Sequence, residues 1–372
     1  MDLFGASPAA SGIAVTPRKA MECTPVRCAV QAISETVGQL PFHVYSRNAD
    51  GSKERDPDHP VHALLHDAAN EWTPASKLRE EITRDALLYP QGGFAFINRV
   101  DGRPDELIRL DPELTPVTVG TVNFEPVYQV AEKGKPARII ARQDILHIPS
   151  PSLSDGGLVH EARETIGLAI VLEQHAARLF GKGARPSGML SLKGTVTPDV
   201  LAKAKAAWQA AHSGANGGGT AVLPADAEWT ALTLSSVDAQ FLELRAFAVA
   251  EIARLFRVPP VLLMDYGRAT WANSESMRRD FIDFAVRRWL RAWEGEIRLK
   301  LFTPEERKEY SAEFLLDDFL KGDTAARYEA YSKAIASRIL SPNEVRALEN
   351  RAPYEGGDKF ENPNTTTGGA NA

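Results

Sequence analysis

The sequence predicts an α+β fold in which two long helices are separated by a small β-α-β-β insert. Three observations carry that expectation. Short apolar segments broken by turn residues between Gly92 and Ile148 have the period of antiparallel strands. The stretches Leu158–Phe180, Ala239–Arg257 and Ser274–Phe302 keep helical apolar spacing far beyond the length of an ordinary surface helix. Between the first two lies 186–237, where strand signals flank an Ala/Lys-rich helix and a glycine loop.

The elements follow in order. Residues 1–22 are small, polar and Pro-containing, and read as a flexible arm. Thr24-Pro25 has the signature of a cap followed by Pro in the first turn. Val26, Val30, Ile33, Val37 and Leu40 then form one apolar helical stripe, stopped by Pro41. Phe42–Tyr45 is a strand turned at 48–51, and Thr73-Pro74 repeats the cap signature ahead of Leu78, Ile82 and Leu87-Leu88. Phe94–Ile97 and Leu107–Leu110 flank the tight turn Asp101-Gly102. Strands at 117–119, 128–130, 139–140 and 145–148 continue as an antiparallel meander. On the first long helix Leu158, Ala162, Ile166, Ala169, Leu172, Ala176 and Leu179 make one stripe, with Leu168, Ile170 and Val171 outside it. The second has few polar positions. A helix apolar on more than one face needs more than one neighbour. The third carries Met277, Phe281, Ala285, Trp289, Trp293 and Ile297 on one side and Arg287, Arg291, Glu294 and Arg298 on the other. An acidic strand or turn at 314–319, a helix over 325–339 and a Ser341-Pro342-capped helix to Glu349 follow. The Asn/Thr/Gly-rich end, 361–372, reads as disordered.

Composition narrows the function. The 372 residues are 44% apolar and 25% charged, which is ordinary for a soluble globular protein of two or three domains. A net charge of −6 argues against a passive, tight DNA binder, whose affinity comes from phosphate neutralisation. It leaves room for contact with DNA that must stay mobile. The two cysteines, Cys23 and Cys28, support neither a zinc ribbon nor a disulfide framework. The N-terminal residues lack a signal-peptide pattern, and no uncharged apolar run reaches the roughly 20 residues of a membrane span. A cytoplasmic protein, or one belonging to a particle built inside a cell, is expected.

Enzyme signatures are sparse. The glycine run 214–219 is followed by Thr220-Ala221 without the lysine of a phosphate-cradling loop. His160-Glu161 begins a zinc motif, but Glu164 stands where the second histidine belongs. His59, His62 and His66 are the most tempting cluster, because spacings of three and four align them on one helical face as metal ligands require. Asp58-His59-Pro60 biases that start away from helix, so a loop feeding a short apolar turn is the plainer reading. The alternative function is a metal-dependent hydrolase or nuclease built on these three histidines. The arginines of the third helix alternate with Glu275, Asp280, Asp283, Glu294 and Glu296, a mixed-charge face rather than a basic stripe.

An ordered set of segments carries a resemblance. It comprises Gln39-Leu40-Pro41-Phe42-His43-Val44-Tyr45, His59-Pro60 through Leu65, Asp144-Ile145-Leu146-His147-Ile148 and Gly183-Ala184-Arg185-Pro186-Ser187-Gly188. It continues with Ile252-Ala253-Arg254-Leu255-Phe256-Arg257-Val258-Pro259-Pro260, Ala272-Asn273-Ser274-Glu275 and Leu340-Ser341-Pro342-Asn343-Glu344-Val345-Arg346. Together they resemble the portal proteins of tailed double-stranded DNA phages of the long-tailed type, and those of gene transfer agents, over roughly residues 20–360.

The resemblance implies a portal-type subunit of a closed ring, typically of twelve copies, at one capsid vertex. It implies a wing over 23–157 and 275–322, stem helices at 158–185 and 238–258, a clip at 186–237, a tunnel loop at 259–274 and a short helical crown at 323–360. Asp265, Tyr266, Arg268, Trp271 and Asn273 become channel candidates in the tunnel loop. Lys182 and Arg185 become DNA-proximal candidates at the stem–clip junction, and Lys193, Lys203, Lys205 and Trp208 docking candidates in the clip. The implied partners are further copies of the chain, double-stranded DNA in transit, the large terminase, a head-tail connector or adaptor and the major capsid protein. No cofactor, no membrane and no catalysis are expected.

Overall fold

The computed structural model describes residues 8–48, 51–181, 188–192, 197–199, 202, 227–231, 236–264, 277, 279–316, 324–349 and 351–360. The chain forms two compact units, one of 1–30 with 152–264 and one of 31–151 with 265–372.

The first unit begins with an ordered segment where the sequence predicts a flexible arm. Pro8 bridges Ala14, the Ala10 amide donates to Glu164 at 2.8 Å, and Ala9 and Val15 are buried. Gly167 admits this segment. A Cβ there would lie 2.6 Å from Ser11 Oγ and 3.0 Å from Ala9 Cβ. Helix α1 (Pro17–Glu22) is capped by Thr16, whose hydroxyl accepts from the Lys19 amide. Helix α2 (Thr24–Gln39) carries the boundary between the units, and every member of its predicted stripe is buried.

In the second unit, β1 (Phe42–Arg47) lies between β2 (Lys53–Arg55) and β13 (Tyr310–Phe314) in an antiparallel sheet. Helix α3 (Pro60–His66) replaces the expected loop. His59 makes this possible by acting as the N-cap, its Nδ1 accepting from the Val61 amide at 3.2 Å, while Pro60 occupies the first turn. Strands β3 (Ala68–Asn70) and β4 (Thr73–Pro74) pair ahead of α4 (Ala75–Leu88). The second Thr-Pro signature therefore marks a strand rather than a cap. The residue before proline prefers an extended backbone, and Pro74 offers no capping side chain.

Strands β5 (Gly93–Val100) and β6 (Arg103–Leu110) meet at Asp101-Gly102, both with positive φ, as the tight-turn signal requires. Strands β7 (Val117–Val122), β8 (Glu125–Val130) and β9 (Arg138–Ile140) form a separate sheet, and β10 (Ile145–Ile148) returns to pair with β5. The predicted single meander is thus two three-stranded sheets. Their apolar faces meet in one cluster, with Phe94, Leu110 and Ile145 against Val117, Tyr128, Val130 and Ile140.

The chain then re-enters the first unit. The first long helix is interrupted: α5 (Gly157–Glu161) and α6 (Arg163–Gly181) are separated at Ala162, where the Arg163 guanidinium donates to the His160 carbonyl. Strands β11 (Gly188–Leu192) and β12 (Ala227–Ala231) and helix α7 (Ser236–Phe256) complete this unit. Back in the second unit, a π-helical stretch at Phe281–Val286 runs into α8 (Arg287–Lys300). Phe281, Ala285, Trp289, Trp293 and Ile297 are buried as the stripe predicts. Trp293 Nε1 donates to Thr83 at 3.0 Å. Two α8 carboxylates reach sheet edges. Glu294 accepts from the Phe314 amide of β13, and Glu296 from the His147 amide of β10. Helix α9 (Glu306–Glu309) precedes β13, which ends at Phe314, the first residue of the segment 314–319 expected as an acidic strand or turn; residues 317–319 lie outside the described residues. Helices α10 (Thr324–Ala336) and α11 (Pro342–Leu348) close the described chain. Ser341 and Glu344 form a reciprocal capping box, and Arg327 pairs with Glu349 at 2.8 Å.

Two arginines fix the second unit, Arg79 fully buried and Arg109 half-buried. Arg79, 4% exposed, donates to the carbonyls of Val37, Gly38, Leu40 and Leu65, at the ends of α2 and α3. Its guanidinium lies 5.9 Å from the stacked rings of Phe42 and Phe314, and burial lowers its pKa to about 10. Arg109 forks onto Asp85 at 2.6 and 2.9 Å, and Asp85 is 1% exposed.

Replacing Arg79 with Met strands these acceptors, and each buried unsatisfied group costs about 1–3 kcal/mol. R79M is therefore expected to lose about 3 kcal/mol or more in chemical denaturation, and R79K, which lacks the planar fork, to recover only part of it. R109M leaves the buried Asp85 charge with only the longer Arg84 contact at 3.9 Å and costs about 3 kcal/mol near pH 7. Burial already pushes the Asp85 carboxyl upward. An acid raised in the folded state is stabilised by protonation, so the R109M deficit should shrink as pH falls from 7 to 5.

Candidate functional site

The features that bear on function are the helix pair of the first unit, the loops that flank it, and the histidines and cleft of the second unit.

In the first unit α6 and α7 run antiparallel. The His175 ring meets Phe241 edge-on at 5.3 Å, and nearer the other end Ala169, Leu172 and Glu173 enclose, with Arg245, Ala248 and Val249, a cavity of about 70 Å³ closed by Cys23, Thr24 and Pro25. Ala162, Ile166, Ile170 and Ala176 are buried from one side, and Ala248, Ile252, Ala253 and Phe256 from the other. This covers only part of the apolar surface. Leu242 is 64% exposed, Leu244 51%, Phe247 55% and, on α6, Leu168 46%. Burying one such side chain is worth about 1.5–3 kcal/mol, so the pair carries unspent association energy. Strands β11 and β12 pair antiparallel from Gly188 opposite Ala231 to Leu192 opposite Ala227. The insert therefore leaves α6 and returns to α7 through adjacent strands.

Helix α7 ends in a left-handed turn. Arg257 has φ +58, its amide donates to the Arg254 carbonyl, and the Val258 amide donates to the Ala253 carbonyl. Pro259-Pro260 then prevents continuation. The chain passes Pro260–Leu263 to Met264, 68% exposed, where the described part of the loop stops. Asp265, Tyr266, Arg268, Trp271 and Asn273 lie outside the described residues, as do Lys182, Arg185, Lys193, Lys203, Lys205 and Trp208.

The histidines do not gather as their spacing suggests. His59 turns away to its capping role and packs its ring 5.3 Å from Phe302 and 4.7 Å from Tyr310. His62 and His66 share one face of α3, but the third ring against them is His43 of β1. A strand buried on both faces was the missing signal. Phe42, His43 and Val44 are all buried, so His43 is enclosed although its side chain lies on the opposite face from Phe42 and Val44. Among the described residues no group of three His, Cys, Asp or Glu is placed to hold a metal ion. The metal-hydrolase alternative therefore has no site in this part of the chain.

A cleft of about 570 Å³ opens beside His59, rimmed by Arg99, Arg103, Lys300 and Arg307. Most of this charge is engaged within the chain. Arg99 pairs with Asp144 at 3.0 Å and donates to the Lys300 carbonyl, and Arg307 donates to the carbonyls of Arg298, Leu299 and Phe302 at the end of α8. The mixed charges of α8 are likewise internal, with Arg287 on Asp283 and Arg291 on Glu294. Among the described residues no helix is long and apolar enough to cross a membrane.

Comparison with known proteins agrees with this architecture. A model of the family described as "Phage portal protein" matches residues 24–350. A probable portal protein of Streptomyces phage phiC31 is 30% identical, over 94% of this chain and 79% of its own length. The portal protein of Enterobacteria phage HK97 is 27% identical, over 89% of this chain and 79% of its own. Among solved structures, a chain in the neck of an empty gene transfer agent particle, computed with C6 symmetry, superposes with a TM-score of 0.65 at 24% identity, covering 91% of this chain and 93% of that one. A chain from the neck of the native particle, computed with C12 symmetry, gives 0.63 at 22% identity, covering 94% and 97%. The family match spans both units and the helix pair with its strand-flanked insert, and the chain belongs to the phage portal protein family.

Proposed function

We propose that this chain is the repeating subunit of a portal ring of about twelve copies at one capsid vertex, which conducts double-stranded DNA into and out of the capsid. The observation that carries the reading is the apolar surface left open on α6 and α7, at Leu168, Leu242, Leu244 and Phe247. A pair of helices with such faces suits a head-to-tail contact that closes by rotation, each pair buried by two neighbours. Family membership supports the same assembly. Twelve copies are favoured by the C12 symmetry of the related neck.

In this reading 23–157 and 275–322 form the wing, 158–185 and 238–258 the stem, 186–237 the clip, 259–274 the tunnel loop and 323–360 a short crown. Asp265, Tyr266, Arg268, Trp271 and Asn273 lie along the DNA path, with Lys182 and Arg185 near it. Lys193, Lys203, Lys205 and Trp208 receive the large terminase and later the connector or adaptor protein, while the wing meets the capsid protein. The net charge of −6 suits a conduit, because a lumen rich in Lys and Arg would hold the duplex rather than let it slide.

Negative-stain microscopy and native mass of the purified chain test the proposal. Closed rings of about twelve copies with a central hole are expected. A monodisperse monomer that stays monomeric with scaffold or capsid protein present would overturn it. The double variant L242E/F247E should abolish rings while leaving the circular dichroism of the monomer intact, because both side chains are already exposed in the single chain. DNA association by the assembled ring should be weak and should fall as salt rises from low to physiological concentration, with the shallow slope of few phosphate contacts.

A further inference from the structure

We propose that His43, His62 and His66 form an acid-labile clasp that holds α3 against β1, so that mild acid loosens this corner of the second unit before the rest of it. The inference does not depend on the portal reading. His43 and His62 are each 4% exposed, and His43 Nδ1 lies 3.3 Å from His62 Nε2, one ring donating and the other accepting. The His66 ring lies 4.8 Å from that of His43 and 5.1 Å from that of His62, nearly parallel to both. His66 is the exposed member, with Asp67 Oδ1 2.8 Å from its Nδ1.

The chemistry of the pair makes it sensitive to protons. A neutral imidazole has one N–H and one acceptor nitrogen. The donor ring can take a proton on its far nitrogen and still donate. The acceptor ring cannot, because its proton would fall on the nitrogen already in use. Two charged rings therefore present N–H groups to each other at hydrogen-bond distance, and a proton on His66 adds a third cation beside them.

The surroundings oppose charge more than they favour it. On β2, Arg55 faces the cluster, and on α4, Arg79 does so. On β1, the Tyr45 ring lies 6.4 Å from that of His43. On β13, Glu313 is the register partner of His43, but it is held by Lys53 and by Ser311 at 3.0 Å. Asp56, which follows β2, and Asp67, the C-cap of α3, are the acids that favour a charged ring. Strand β3 contributes no charged side chain. On β6, Arg103 acts on His59, Glu106 bonds Asn98, Arg109 bonds Asp85 and Asp105 is exposed. Burial is the largest influence on both enclosed rings. It lowers His43 to about 4 and moves His62 downward as well. A histidine depressed in the folded state contributes stability that is complete above its unfolded value near 6.5 and is lost as pH falls toward its folded value.

Hydrogen exchange of the full chain at pH 7 and pH 5, corrected for intrinsic rates, tests the clasp. Peptides over 42–47 and 60–66 should lose at least tenfold in protection at pH 5, ahead of peptides over 93–97 and 145–148. The latter surround His147, a half-buried histidine that burial also lowers to about 4. Equal loss at both places, or loss at His147 alone, overturns the proposal. The variant H43F supplies a second reading in the thermal midpoint. Its drop between pH 7 and pH 5 should be about half that of the parent chain or less, and an unchanged drop overturns the clasp. If H43F does not fold, H62Q, which keeps a side-chain donor and acceptor at the buried pair but takes up no proton, is read in the same way.

Discussion

A single guanidinium determines how the second unit is assembled. Helices α2 and α3 end close together, and the last carbonyls of a helix have no partner within it. Arg79 of α4 gathers three of them, and the Leu40 carbonyl just past α2, while its flat face lies beside Phe42 and Phe314. Among the described residues no carboxylate is bonded to it, so its positive charge is matched by carbonyl dipoles and the two ring faces. Three helices, β1 and β13 thereby converge on one side chain. The position of α3, and hence the meeting of His62 and His66 with His43, follows from the same point.

The second organising element is α8. Its apolar stripe fills the space between two sheets, while Glu294 and Glu296 accept amides from β13 and β10. Burial raises both carboxyls, and the backbone amides together with Arg291 and Lys300 counter that effect. A helix that the sequence presents as amphipathic is therefore also a clamp on two sheet edges. The π-helical stretch before it widens the helix where Phe281 and Ile282 are both buried.

Much of this was legible in the sequence, for identifiable reasons. The α2 and α8 stripes, the Asp101-Gly102 turn and the Ser341 cap follow from local spacing and turn chemistry, and local chemistry decides them. Other features depend on partners distant in sequence. Thr24-Pro25 and Thr73-Pro74 carry the same signature, yet Thr24 is already the first residue of α2 and Thr73-Pro74 is drawn into a strand by Ala68–Asn70. Residues 8–22 look like an arm until Gly167, over 140 positions later, makes room for them. His59 was grouped with His62 and His66 by spacing, whereas its ring belongs to Phe302 and Tyr310. Of the functional residues, the exposed apolar positions of α6 and α7 were foreseen as a surplus of apolar surface. The loop candidates rest on the family resemblance and lie outside the described residues.

The coverage of strand edges by Glu294 and Glu296 has a consequence for how copies of this chain meet. An open strand edge accepts any other strand, and such addition has no natural end. Carboxylates that occupy the edge amides of β10 and β13 remove that option at two places. The apolar side chains left open on α6 and α7 are of a different kind, since their fit depends on shape and angle rather than on a repeating backbone. Association through surfaces of that sort can stop when a circle is complete, whereas association through bare strands would continue into a fibre.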